Sequence, residues 1–150
     1  MRTIIVGVGN TLMRDDGVGV HVIHELEQHE LPDDVDLADA GTSADAAYAL
    51  RSAERLIIVD AAQFGGAPGT VYRLTPEEAA DAGIGLRSCH DMGLIETLRT
   101  VTRETEPEIV ILGIETETID WGEGLTSCVA ACVPRVIEIV KREVKGSSCS

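Results

Sequence analysis

Short unbroken apolar runs alternate along the chain with stretches whose apolar residues recur every three or four positions. The runs are Ile4-Ile5-Val6-Gly7-Val8, Leu56-Ile57-Ile58-Val59 and Ile109-Val110-Ile111-Leu112-Gly113. Apolar residues without polar alternation predict strands covered on both faces. Val35 to Asp39 reads as a weaker strand, and Thr70-Val71-Tyr72-Arg73-Leu74 as another. The latter follows the short loop Phe64-Gly65-Gly66-Ala67-Pro68-Gly69. A parallel crossover needs about a dozen residues or more, so the strand at about 70–74 is expected to run antiparallel to its predecessor.

Helical spacing occupies the intervals. Residues from Asp16 to Gln28 form one helix, Ser43 or Asp45 caps another to Ser52, and Asp91 to Arg103 forms a third. The segment 75–90 reads as loop with a turn of helix. From Thr126 to Val144, Val129, Cys132, Val133, Val136, Ile137, Val140 and Val144 fall on one stripe. Pro134 sits inside that pattern, and Gly146 is expected to stop the helix and leave the tail 146–150 frayed. The alternation predicts one domain over 1–150. Its class is α/β, a three-layer α/β/α sandwich with a mostly parallel sheet. In such folds ligands gather beyond the carboxyl ends of the strands.

Charge narrows the function. The 12 Lys+Arg against 26 Asp+Glu leave −14, which argues against the phosphate backbone of nucleic acid and against anionic membranes. Aromatic residues at 3% provide no stacking platform for single strands. No apolar run reaches the roughly 18–20 residues of a membrane helix. The apolar N-terminus is followed by Asp15-Asp16 without a small-residue cleavage site, so it reads as a buried strand and the chain as cytoplasmic. Cys89, Cys128, Cys132 and Cys149 form no CxxC pair and read as free core thiols.

Three places at the expected carboxyl edge carry chemistry. The first is the loop Gly7-Val8-Gly9-Asn10-Thr11-Leu12-Met13-Arg14-Asp15-Asp16-Gly17-Val18-Gly19. It joins a strand to a helix, yet Leu12 stands where a dinucleotide fingerprint needs its third Gly, and two acids would repel a pyrophosphate. Gly7 and Gly9 allow close backbone approach, and the Asn10 side chain can fix the turn. Asp15 and Asp16 suit a helix N-terminus, but capping explains one acid better than two. The second place is Asp60, directly after a buried strand, where desolvation demands a partner or a metal. The third is Ser88-Cys89-His90-Asp91-Met92-Gly93, in which His90 is available as a ligand. Asp16, Asp60 and His90 make a three-ligand set suited to zinc, nickel or a similar divalent metal. His21, His24 and His29 read as solvated helix residues, because His24-Glu25-Leu26-Glu27-Gln28-His29 misses the spacing of a zinc-protease helix by one residue.

These residues resemble a known family, the hydrogenase maturation proteases, which trim the large-subunit precursor of nickel–iron hydrogenases. The resemblance rests on the block from Gly7 to Gly19, then Asp39-Ala40-Gly41-Thr42, Leu56-Ile57-Ile58-Val59-Asp60-Ala61, Pro68-Gly69-Thr70 and His90-Asp91-Met92-Gly93-Leu94. It ends with Leu112-Gly113-Ile114 and Gly124-Leu125-Thr126. It implies a sheet of five strands with the strand at 70–74 antiparallel, and metal ligands at Asp16, Asp60 and His90. Asp39 would assist catalysis, and Gly9, Asn10, Gly41 and Thr42 would contact substrate. Ala40 departs from the Gly of many members, and Asp16 from the Glu of some. The resemblance further implies nickel presented by the precursor and a site open to zinc or cadmium, with the resting enzyme either free of metal or holding one. The expected partner is that precursor, and the expected state a monomer. A module that binds metal or precursor without cutting is the alternative, and a nucleotide-binding module a third.

Overall fold

The structure, a computed structural model, describes residues 2–41, 50, 52–81, 85–87 and 107–148. Five strands form one sheet: β1 (Thr3–Val8), β2 (Val35–Gly41), β3 (Arg55–Ala62), β4 (Val71–Leu74) and β5 (Glu108–Glu115), in the order β2-β1-β3-β5-β4. β1 pairs parallel with β2 and β3, and β3 pairs parallel with β5. β4 pairs antiparallel with β5, Val71 opposite Ile114 and Leu74 opposite Ile111. The chain leaving β3 therefore passes the position of β5 before turning back, and β4 takes the sheet edge.

Every residue of β1 and β3 is buried, as the unbroken apolar runs require. Side chains alternate between two cores. Ile4, Val6, Val8, Leu56, Ile58 and Ile111 share one, and Ile5, Ile57, Val59, Val110, Leu112 and Ile114 the other. α1 (Val18–Leu26) and α3 (Ser127–Ser148) cover the second core. α1 adds Val18, Val22, Ile23 and Leu26, and α3 adds Val129, Val136, Ile137, Val140 and Val144. α1 lies close against the sheet because residue 19 is Gly: a Cβ there would stand 2.1 Å from the Val59 carbonyl oxygen.

α2 (Pro76–Asp81) brings Ala79 to the first core. Its start is a reciprocal capping box, with Glu78 N–H donating to Thr75 Oγ1 and Thr75 N–H to Glu78 Oε1, both at 3.1 Å. The sequence Thr75-Pro76-Glu77-Glu78 carries that signal within a segment otherwise read as loop. At the amino end of the sheet, Arg55, 3% exposed, pairs with Glu143 of α3 at 2.8 Å, and Arg73 pairs with the same carboxylate. This ties α3 to β3 and β4.

Four expectations change. The 16–28 helix divides into a 3-10 turn at Arg14–Gly17 and α1. β3 extends to Ala62, so Asp60 lies inside the strand rather than after it. α3 runs through Gly146 to Ser148, so Gly146 does not stop it and residues 146–148 are helical rather than frayed; an exposed Gly costs a helix only about 1 kcal/mol relative to Ala. Cys128 is exposed and Cys132 half-buried, both free, so Cys128 is not a core thiol. The helix expected from Asp91 to Arg103 lies outside the described residues, as does most of that expected up to Ser52. No helix among the described residues is long and apolar enough to cross a membrane.

Candidate active site at the carboxyl edge of the sheet

β1 ends in a loop whose shape depends on glycine. Gly9 has φ +131°, and a Cβ there would stand 2.0 Å from the Asp16 carbonyl oxygen. The Asn10 side chain accepts from Leu12 N–H at 2.9 Å, and the Asn10 carbonyl accepts from Met13 N–H at 3.0 Å. The loop thus folds back and delivers Asp15 and Asp16 to the sheet edge.

The two acids have different surroundings. Asp15 is fully buried and caps no helix of its own. Its Oδ2 accepts from Glu117 N–H at 2.9 Å, Thr118 N–H at 3.0 Å and the Thr126 hydroxyl at 2.8 Å, and its Oδ1 accepts from Thr126 N–H at 2.8 Å. Burial alone would raise its pKa, but these bonds outweigh burial and hold the carboxyl below its ordinary 3.8. Asp15 therefore clamps the loop after β5 to the loop after β1. Glu115 has a similar role, accepting on Oε1 from Phe64 N–H, Gly66 N–H and the Tyr72 hydroxyl.

Asp16 is 8% exposed and less well satisfied. Its Oδ2 accepts from Asn10 N–H at 3.0 Å, while its Oδ1 stands 3.7 Å from Arg87 Nε, beyond hydrogen-bond distance. Arg87 Nε is itself buried without a hydrogen-bond partner, and Arg87 Nη1 reaches Gln63 Oε1 at 3.3 Å. Asp60 is fully buried near the carboxyl end of β3, and its Oδ1 accepts from Ala61 N–H at 2.8 Å. Asp16 thus lies in the turn that follows β1, and Asp60 inside the last three residues of the neighbouring parallel strand β3. His90 lies outside the described residues. Among the described residues no group of three His, Cys, Asp or Glu is arranged to hold a metal ion.

Beside Asp16 runs a groove of about 310 Å3, lined by Gly9, Asn10, Thr11, Leu12, Val20, His24, Asp39 and Gly41. It includes three of the four expected substrate-contact residues; the fourth, Thr42, lies outside the described residues. Asp39 Oδ1 accepts from Gly41 N–H at 3.0 Å, and the Gly41 carbonyl accepts from Gly9 N–H at 2.7 Å. Asp39 Oδ2 meets His24 Nε2 at 3.1 Å. His24 is thus not merely a solvated helix residue. The helical offset of α1 places it over the end of β2, a contact that spacing within α1 could not reveal. His21, one turn earlier, is half-buried with Nε2 unpartnered; burial and then the nearby His24 depress its pKa below 6.5.

These features define a doubly wound α/β domain with a carboxylate site and a polar groove at the carboxyl edge of its sheet. The family profile of the hydrogenase maturation proteases matches residues 20–143. The chain is 32% identical to the hydrogenase 2 maturation protease of Escherichia coli K12 over 98% of its own length and 93% of the relative's. Its fold matches the solved structure of the hydrogenase maturating endopeptidase HybD from E. coli with a TM-score of 0.85 at 32% identity, covering 98% and 94% of the two chains. It matches the [NiFe] hydrogenase maturation protease HybD from Thermococcus kodakarensis with a TM-score of 0.76 at 29% identity, covering 96% and 99%. The chain belongs to the hydrogenase maturation protease family. It is accordingly an endopeptidase of hydrogenase maturation.

Proposed function

We propose that this enzyme removes the C-terminal extension of a nickel-loaded hydrogenase large-subunit precursor and recognises the precursor's nickel through Asp16, Asp60 and His90. The observation that carries the reading is the state of Asp16. A buried carboxylate with one oxygen outside hydrogen-bond distance of any described donor is suited to a cation. Asp60 adds a second buried carboxylate on the neighbouring strand. His90 follows Arg87 by three residues, a chain length that spans at most about 10 Å. Two carboxylates and an imidazole suit nickel and would also accept zinc or cadmium, with coordination positions left open for substrate.

Hydrolysis adds water to the scissile carbonyl, breaks the C–N bond and leaves a new carboxylate and a new amine. Asp16, Asp60 and His90 would hold the precursor-borne nickel, which would supply polarisation of the scissile carbonyl or else only fix the precursor while Asp39 assists the attacking water. The groove lined by Gly9, Asn10, Gly41 and Asp39 leaves room for a segment of the precursor at the same sheet edge. The test is the mass of the precursor after incubation with the enzyme, with and without nickel loaded. Loss of the C-terminal extension only from the nickel-loaded form supports the proposal. An intact precursor in both arms refutes it and favours a module that binds without cutting.

A further inference from the structure

We infer that Leu12 and Trp121 form a pre-built docking rim for the folded face of the precursor that surrounds its cleavable tail, a face apolar at its centre and basic around it. This rests on the function proposed above. Among the described residues these are the exposed large hydrophobic side chains, Leu12 at 50% and Trp121 at 75%. They lie far apart in sequence but on loops joined main chain to main chain. Gly122 N–H donates to the Leu12 carbonyl at 2.9 Å, and Arg14 N–H donates to the Gly122 carbonyl at 3.0 Å. Met13 and Gly122 form a parallel bridge, and Asp15 clamps the same two loops.

The rim is held in a conformation the chain would not otherwise favour. Arg14 adopts φ +51°, in the left-handed region. Gly122 adopts φ +147°, and a Cβ there would meet Arg14 Nε at 3.1 Å. Strained loops held rigid around exposed apolar side chains are a feature of functional surfaces rather than of folding alone. Because the rim is fixed before a partner arrives, little ordering entropy opposes binding, and Trp is the residue most enriched in binding hot spots.

Charge and position identify the occupant. The loop that carries Trp121 also exposes Glu117, Asp120 and Glu123, on a chain of net charge −14. An acidic collar around an apolar centre complements a basic collar. Leu12 also lines the groove that contains Asp39, so the rim continues into the candidate active site. A partner seated on the rim brings whatever segment it projects into that groove.

The test uses nickel-loaded precursor and the whole enzyme, with Kd, KM and kcat measured for wild type, Trp121→Ala, Trp121→Phe and a distant control, Glu30→Gln. Trp121→Ala is expected to raise Kd and KM at least about tenfold. Its kcat at saturation and its unfolding midpoint should stay near wild type, with Trp121→Phe recovering most of the affinity and Glu30→Gln matching wild type. Added salt should weaken wild-type binding through the collar. Kd and KM of Trp121→Ala within about twofold of wild type would overturn the inference. Wild type that binds the precursor without cutting it overturns the proposed function instead, and Kd still tests the rim.

Discussion

Replacing Asp15 by Asn removes one charge from the clamp and changes almost no volume. The native carboxylate accepts three bonds on Oδ2 and one on Oδ1. Asn can keep its carbonyl oxygen at the Oδ2 position, where three charge-assisted bonds become neutral ones, a loss of roughly 1 kcal/mol each. Its NH2 then faces the Thr126 N–H, donor against donor, and a buried unmet donor costs about 1–3 kcal/mol. Relaxation recovers part of this, so the expected loss is about 3–5 kcal/mol, a large share of the roughly 5–15 kcal/mol that holds a domain together. Urea unfolding at pH 7, followed by circular dichroism, measures it.

The pH dependence has a definite sign. The folded-state pKa of Asp15 is depressed, so its stabilisation is present above the unfolded value near 3.8 and fades as pH falls through the lower folded value. The gap between wild type and Asp15→Asn should therefore narrow in strong acid. A loss under about 1 kcal/mol at pH 7 would refute the clamp, since it would mean the four bonds contribute no more than one ordinary hydrogen bond.

Other perturbations have comparably definite outcomes. Glu143→Gln takes from Arg55, 3% exposed, its 2.8 Å ion pair but leaves it Glu108 Oε1 at 3.5 Å, and is expected to cost about 1–3 kcal/mol in the same assay. Gly19→Ala sets a methyl 2.1 Å from the Val59 carbonyl oxygen, so α1 must move off the sheet; a Tm drop of several degrees checks this, and an unchanged Tm contradicts the packing. The depressed pKa of His21 means that its neutral form is the folded one, so stability should fall as pH drops through and below 6.5, a slope that His21→Gln should flatten.

Much of the fold was written in local pattern. Unbroken apolar runs gave β1, β3 and β5, because a strand covered on both faces has no polar position to reveal its period. The short Gly/Pro loop before β4 gave its antiparallel direction, but not its place outside β5, which depends on a strand more than thirty residues later. The placement of Asp16 and Asp60 toward the carboxyl edge was legible because acids next to buried apolar runs stand out, though not that β3 continues past Asp60. Asp15 was not separable from Asp16, since its partners lie more than a hundred residues away at Glu117, Thr118 and Thr126. The His24–Asp39 pair was hidden for the same reason, joining a helix to the end of a strand across the sheet edge. The continuation of α3 past Gly146 shows tertiary packing overriding a weak local stop signal, with Val140 and Val144 anchoring its last turns.

The most direct test of the proposed site is cleavage of nickel-loaded precursor by wild type, Asp16→Ala, Asp60→Ala and His90→Ala, with circular dichroism confirming that each variant is folded. The proposed site predicts that wild type converts the precursor to the shorter form while each folded variant loses at least about a hundredfold in rate. Undiminished cleavage by the three variants would contradict it.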